Sequence, residues 1–246
     1  MEKKYLKQNV YEALLERLQF IFCEFENIYI SFSGGKDSGL LLNLVLDFRK
    51  KYYPDRQIGV FHQDFEAQYT VTTQYIERTF ERIKGEAELY WVCLPMATRT
   101  ALSSYEMYWY PWDDTKKEQW VRQMPDKEYV INLDHNPITT YRYRMHQEDL
   151  AKQFGRWYRK SHGDKKTVCL LGIRADESLQ RYSGFLNKNM GIKMNAGLAS
   201  SLKMSGAHPR YMIGKQTIYG MPIICFPMII INFMTFIIKR GLQCPR

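Results

Sequence analysis

The residues best suited to chemistry stand together in Ser33-Gly34-Gly35-Lys36-Asp37-Ser38. Adjacent glycines let a backbone turn tightly and approach a ligand closely. Ahead of a helix, such a turn aims several N–H groups outward at the positive helix end, where phosphate oxygens bind. Ser33 and Ser38 add hydroxyl donors, and Lys36 can neutralise phosphate charge. Asp37 suits either a Mg2+ ion or the bracing of the loop itself. The spacing is not G-x-x-x-x-G-K-S/T, so this is not a Walker A loop.

Two further groups lie at the ends of apolar runs. Phe61-His62-Gln63-Asp64-Phe65-Glu66 closes one run. In open parallel sheets ligands bind beyond the carboxyl ends of strands, so Asp64 and Glu66 are candidates for metal or nucleotide; Asp64 could equally cap the next helix. Gly172-Ile173-Arg174-Ala175-Asp176-Glu177-Ser178-Leu179-Gln180-Arg181 follows a later run. Gly172 permits close backbone approach. Arg174 and Arg181 can grip phosphate or sulfate in forked geometry, with Glu177 and Ser178 orienting them or meeting the nucleotide. The bland alternative is a surface helix with Glu/Arg pairs.

The elements that must position these residues alternate. Helical spacing predicts a helix over Val10 to Phe25, then a strand over Ile28 to Phe32, the glycine loop, and a helix over Gly39 to Lys51. Leu40, Leu41, Leu44, Val45 and Phe48 are expected to face inward. A strand over Gln57 to His62, a helix over Tyr69 to Arg82 and a strand over Ala87 to Leu94 follow, and Thr167 to Leu171 reads as a returning central strand. This order predicts an α/β fold with a doubly wound, mainly parallel sheet. Pro95 to Asp164 reads as an insertion rich in Trp, Tyr, Arg and Lys. It would act either in substrate or partner recognition by stacking or as a small aromatic core.

Hydrophobic residues at 45% and charged residues at 25% suit a folded domain with a sizeable core. The net charge of +9 favours anionic partners: nucleotides, nucleic acid or an acidic protein. The five cysteines include no CxxC pair, so neither zinc nor an iron–sulfur cluster is expected, and they read as reduced thiols in the cytoplasm. The scattered histidines form no metal-binding pair. No apolar leader core opens the chain. Met221 to Ile238 has spanning length, but Pro222, Pro227 and Asn232 suit a spanning helix poorly, so no membrane contact is expected. A homo-oligomer stays open.

Ser-Gly-Gly-Lys-Asp-Ser between a strand and a helix resembles the PP-loop family, the adenine nucleotide alpha-hydrolases. That resemblance implies a Rossmann-like fold that binds ATP or a related adenylyl nucleotide and cleaves between the alpha and beta phosphates. The Gly172 to Arg181 pattern resembles the phosphoadenosine phosphosulfate (PAPS) reductase branch. Cys93-Leu94-Pro95, Ala101-Leu102-Ser103-Ser104, Trp109-Tyr110-Pro111-Trp112 and Trp120 to Pro125 resemble IbrA-like PAPS sulfotransferases, with the likeness covering about residues 10 to 187. It implies ATP or PAPS as nucleotide, Mg2+ at Asp37, and a site of Ser33, Gly34, Gly35, Lys36, Asp37, Ser38, Asp64, Glu66, Gly172, Arg174, Glu177, Ser178 and Arg181. Lys36, Asp37 and Arg174 would carry catalysis, mainly by electrostatic stabilisation. A nucleotide-binding regulator, linked to nucleic acid and without turnover, is the rival.

Two departures qualify the likeness. The Glu-Cys-Gly-Leu-His tail of sulfate-reducing members is missing, since Cys244 sits in Gln-Cys-Pro-Arg. The Tyr-Asp-Trp and Asp-Ile-Trp of the IbrA-like pattern are also missing. Reading one codon's last base with the next codon's first two makes Tyr-Asp-Trp available over Tyr211 to Gly214, and Asp-Ile-Trp over Thr217 to Gly220. Residues 1–187 are therefore read as the nucleotide-binding domain, containing the 95–164 insertion. Residues 188–246 are read as an aberrant or truncated segment out of frame from roughly Met190, its apolar run being no core element.

Overall fold

The computed structural model describes residues 9–173, 213–214 and 228–231, the last two stretches as backbone strands. Helix α1 (Val10–Glu24) opens on a reciprocal cap: Glu12 N donates to Asn9 Oδ1 at 2.9 Å, and Asn9 N donates to the Glu12 carboxylate at 3.3 Å. Strand β1 (Asn27–Ser31) leads through the glycine loop into α2 (Lys36–Tyr52). Then come β2 (Gly59–Gln63), α3 (Thr70–Ile83) and β3 (Glu88–Val92). Strands β4 (Met96–Arg99), β5 (Tyr108–Trp109), β6 (Val130–Ile131) and β7 (Met145–His146) follow, before α4 (Gln147–Ser161) and β8 (Thr167–Gly172). Strands β9 (Ile213–Gly214) and β10 (Met228–Ile231) complete the described elements.

The main sheet runs β6-β3-β2-β1-β8-β10-β9, parallel throughout except for β9. It is the expected doubly wound, mainly parallel α/β sheet. Successive strand residues point to opposite faces, and both faces are apolar. Ile28, Ile30, Val60, Trp91, Val168 and Leu170 pack under α1, α2 and α3. Tyr29, Phe61, Val92 and Cys169 pack under α4 through Leu150, Phe154 and Tyr158. Phe61 and Phe154 stack with ring centroids 4.2 Å apart. Burying each such side chain contributes about 1.5–3 kcal/mol.

Three expectations need correction. Leu40 is 49% exposed while Leu42 is buried, because α2 starts at Lys36 and its apolar stripe runs through Leu41, Leu42 and Val45. The stretch from Pro95 to Asp164 is not wholly an insertion. Its β6 extends the main sheet beside β3, and its α4 is the crossover helix that covers the second face. The remainder forms a small sheet, β5-β4-β7, and irregular chain. Finally, the apolar run beyond Met221 does supply a sheet element. Residues 228–231 pair in parallel with β8, Met228 opposite Cys169 and Ile231 opposite Gly172. A Met-Ile-Ile-Ile run has high strand propensity, and the flank of β8 offers it a row of backbone partners.

Candidate functional site

The chain moves from β1 through β2 and β3 to β6 on one side, then crosses to β8 on the other. The loop after β1 therefore lies at the point where strand order reverses, which is where open α/β sheets bind ligands.

Gly35 is the N-cap of α2 and supplies no side-chain hydrogen bond, in contrast to Asn9 on α1. The first N–H groups of a helix have no partner within it, so a glycine cap leaves that end to an anion. Gly34 has φ +78°, and a Cβ there would lie 2.7 Å from the Ile76 side chain. Only glycine fits. The serines set the turn: Ser33 N donates to Ser38 Oγ at 3.3 Å, Ser38 Oγ donates to Gly35 O at 3.0 Å, and the two hydroxyls are 3.0 Å apart. Ser38 is buried, whereas Ser33 and Lys36 are exposed and Asp37 is partly buried. Gly172 seats the loop from the other side. A Cβ on it would lie 2.7 Å from Asp37 O and 2.9 Å from Ser38 Cα. The structure thus brings Ser33, Gly34, Gly35, Lys36, Asp37, Ser38 and Gly172 together. Arg174, Glu177, Ser178 and Arg181 lie outside the described residues.

Asp64 and Glu66 are on the same rim but turned to another task. Asp64 is fully buried. Its carboxylate accepts from Arg122 Nη2 at 2.6 and 2.5 Å, from Trp91 Nε1 at 2.6 Å and from Glu66 N at 2.7 Å. The Glu66 carboxylate accepts from Trp112 N and Val121 N, each at 2.8 Å. Arg122 Nε donates to Glu66 O at 2.9 Å, and its guanidinium lies 4.8 Å from the Trp112 ring centre. Neither carboxylate is presented as an open ligand, and Asp64 does not act as the cap of α3, whose N-cap is Tyr69. Among the described residues, no group of three or more His, Cys, Asp or Glu is placed to hold a metal. Mg2+ usually keeps several waters and takes one or two carboxylates beside phosphate oxygens. Asp37, the one carboxylate on the loop, fits that pattern.

His62 is buried behind the loop, with Nδ1 2.8 Å from Phe32 O. A carbonyl partner requires that nitrogen to carry the proton, and burial lowers the pKa of the ring. Cys93 is wholly buried, and burial pushes its thiol pKa well up. Cys93 and Cys169 are free, buried thiols.

The aromatic insertion carries a second polar hub. Asp113 accepts from Arg144 Nη2 at 2.5 Å, Tyr143 Oη at 2.9 Å and Thr115 Oγ1 at 2.7 Å. Hydrogen bonds to these partners outweigh burial and hold its pKa below the ordinary value. Trp112 is buried in the main core and meets Trp120 edge-on at 5.2 Å. These tryptophans thus build core, while Leu102 and Tyr105 at the β4–β5 tip are almost wholly exposed. The roles of Arg122, Trp112, Trp91 and Asp113 were not legible in the sequence. An arginine in an aromatic stretch, with two acidic residues at an earlier strand end, was the available signal.

No family model matches the chain. One curated relative does. The chain is 32% identical over 185 residues to the uncharacterized protein YbdN of Escherichia coli strain K12. That match covers 75% of this chain and 43% of the relative, so the chain spans less than half the relative's length.

Proposed function

We propose that the chain is a PP-loop enzyme of the PAPS reductase-like class. It binds ATP or PAPS and acts at the phosphoanhydride or the sulfuryl group. The observation that carries this reading is the uncapped start of α2 at the strand-order switch, with Gly34 in a left-handed turn and Gly172 pressed against Asp37. That arrangement offers a row of backbone donors to an anion and leaves Lys36 exposed beside it.

In the ATP case, the bond between the alpha and beta phosphates breaks, pyrophosphate leaves, and an acceptor oxygen or sulfur joins the alpha phosphorus. Backbone N–H groups and Lys36 stabilise the charge that gathers on the departing oxygens. Arg174 is proposed to add a second cation. Mg2+, held at Asp37, would neutralise phosphate charge when bound. No described residue stands out as a nucleophile, so the attacking atom belongs to a second substrate.

The regulatory, nucleic-acid-linked reading draws less support from the charge distribution. Residues 188–246 hold eight basic and no acidic side chains, which leaves residues 1–187 nearly neutral at +1. The 95–164 stretch holds 11 basic against 10 acidic side chains, which is no electrostatic footprint for a polyanion. Among the described residues, no helix is long and apolar enough to cross a membrane. The deciding experiment is a titration with ATP and with PAPS, followed by assays for pyrophosphate and for sulfuryl transfer. Turnover that falls about 100-fold in Lys36→Ala supports the enzyme. Binding without product, or salt-sensitive binding to DNA instead, overturns it.

A further inference from the structure

We infer that Arg122 is a positioning residue which, through Asp64 and Glu66, fixes the aromatic insertion on the rim beside the phosphate loop. In this role the two carboxylates anchor the protein chain and do not ligate nucleotide or metal. The inference rests on the reading of Ser33 to Ser38 as a phosphate loop.

The anchor is reciprocal. Residues 64–66 present two carboxylates and two carbonyls, and residues 112–122 answer each. Arg122 takes the Asp64 carboxylate and Glu66 O, the Trp112 indole N–H donates to Asp64 O at 3.2 Å, and the Trp112 and Val121 amides take the Glu66 carboxylate. An ionised carboxylate offers about four acceptor positions, and Asp64 receives four such hydrogen bonds, with the Cys93 thiol 3.7 Å from Oδ2 as well. Glu66 and Trp112 both sit at positive φ, 61° and 56°. Non-glycine residues hold that conformation only where surrounding contacts enforce it.

A short path joins this anchor to the loop. Phe32 N donates to Phe61 O at 2.8 Å, and His62 Nδ1 donates to Phe32 O at 2.8 Å, so the end of β2 holds the backbone from which Ser33 departs. On its other side the clamp shapes an open hollow of about 550 Å3, lined by Lys117, Trp120, Val121, Arg122, Gln123 and Met124.

The test uses full-length Arg122→Ala, Arg122→Lys and Glu66→Gln chains. Amide exchange across residues 108–124, nucleotide affinity, Mg2+ dependence, and kcat against KM are measured for each. In Arg122→Ala, exchange should rise tenfold or more and kcat fall at least tenfold. The Kd for ATP or PAPS should stay within about threefold. Arg122→Lys should recover part of kcat, and it keeps the test available if the alanine chain does not fold. Glu66→Gln should leave the Mg2+ half-saturation unchanged. A tenfold loss of nucleotide affinity with unchanged exchange, or a fivefold shift in Mg2+ dependence in Glu66→Gln, overturns the inference. If the wild-type chain binds neither nucleotide, the function proposed above fails, and unchanged exchange in the Arg122 chains would separately refute the anchor.

Discussion

Gly172, at the carboxyl end of β8, sits so close to Asp37 that a methyl group on it would lie 2.7 Å from the Asp37 carbonyl oxygen. Two segments over 130 residues apart therefore set one surface. Gly172→Ala should push the first turn of α2 away from the sheet, at a cost of about 1–3 kcal/mol, the range for overpacking. Denaturant unfolding measures that loss, and a parallel titration should show nucleotide affinity falling at least tenfold.

Lys36 is exposed, so removing it should spare the fold. Lys36→Ala is expected to lower kcat/KM by about 100-fold, the scale of losing one preorganised charge contact in a transition state. Its thermal unfolding midpoint should match that of the parent. A normal rate would show that the loop's lysine is not the charge that matters.

Arg122 neutralises a carboxylate with no exposure to solvent. Arg122→Ala should destabilise the chain by about 3 kcal/mol, the lower part of the range for breaking a buried pair, because its own side chain is 20% exposed. Adding Asp64→Asn should return part of the loss, since the unpaired buried charge is then gone. A double-mutant cycle by chemical denaturation reads this coupling directly.

His62 supplies a pH dependence with a definite sign. Burial lowers its pKa in the folded chain, with the nearby Arg122 acting in the same direction and Asp64 and the Phe32 carbonyl opposing. The unfolded chain then binds more protons below about pH 6.5. The contribution is present above that pH and is lost as pH falls from 6.5 toward the folded value. Stability measured at pH 7.5 and 5.5 should differ less in His62→Gln than in the parent.

The strands over 27–31, 59–63 and 167–172 were legible because continuous apolar runs bounded by turns leave few alternatives. The helix after the loop was placed three residues late, since Lys36, Asp37 and Ser38 are polar yet lie in its first turn. Helix α4 had a readable signal in Leu150, Phe154 and Tyr158, four residues apart, but the surrounding aromatics and charges masked it. The anchor at Asp64 left only a faint signal, an arginine in an aromatic stretch and two acidic residues at an earlier strand end. Its partner lies 58 residues away, and one sequence carries no record of which distant charges meet.

The unusual composition of residues 188–246 has a test outside the protein. If the frame shifts near Met190, the coding DNA read in the alternative frame should encode Tyr-Asp-Trp over Tyr211 to Gly214 and stay open beyond. A closed frame would instead make the basic, acid-free stretch a genuine part of this chain.

The pairing of Asp64 with Arg122 also bears on how the chain is born. At about 5–20 residues per second, the ribosome adds Asp64 roughly 3–12 seconds before its partner. Throughout that interval the carboxylate must stay hydrated or take up a proton, because burying it ionised and unpaired is costly. Closure of the sheet around an ionised Asp64 is therefore expected to wait for Arg122, the one cation that meets its carboxylate among the described residues.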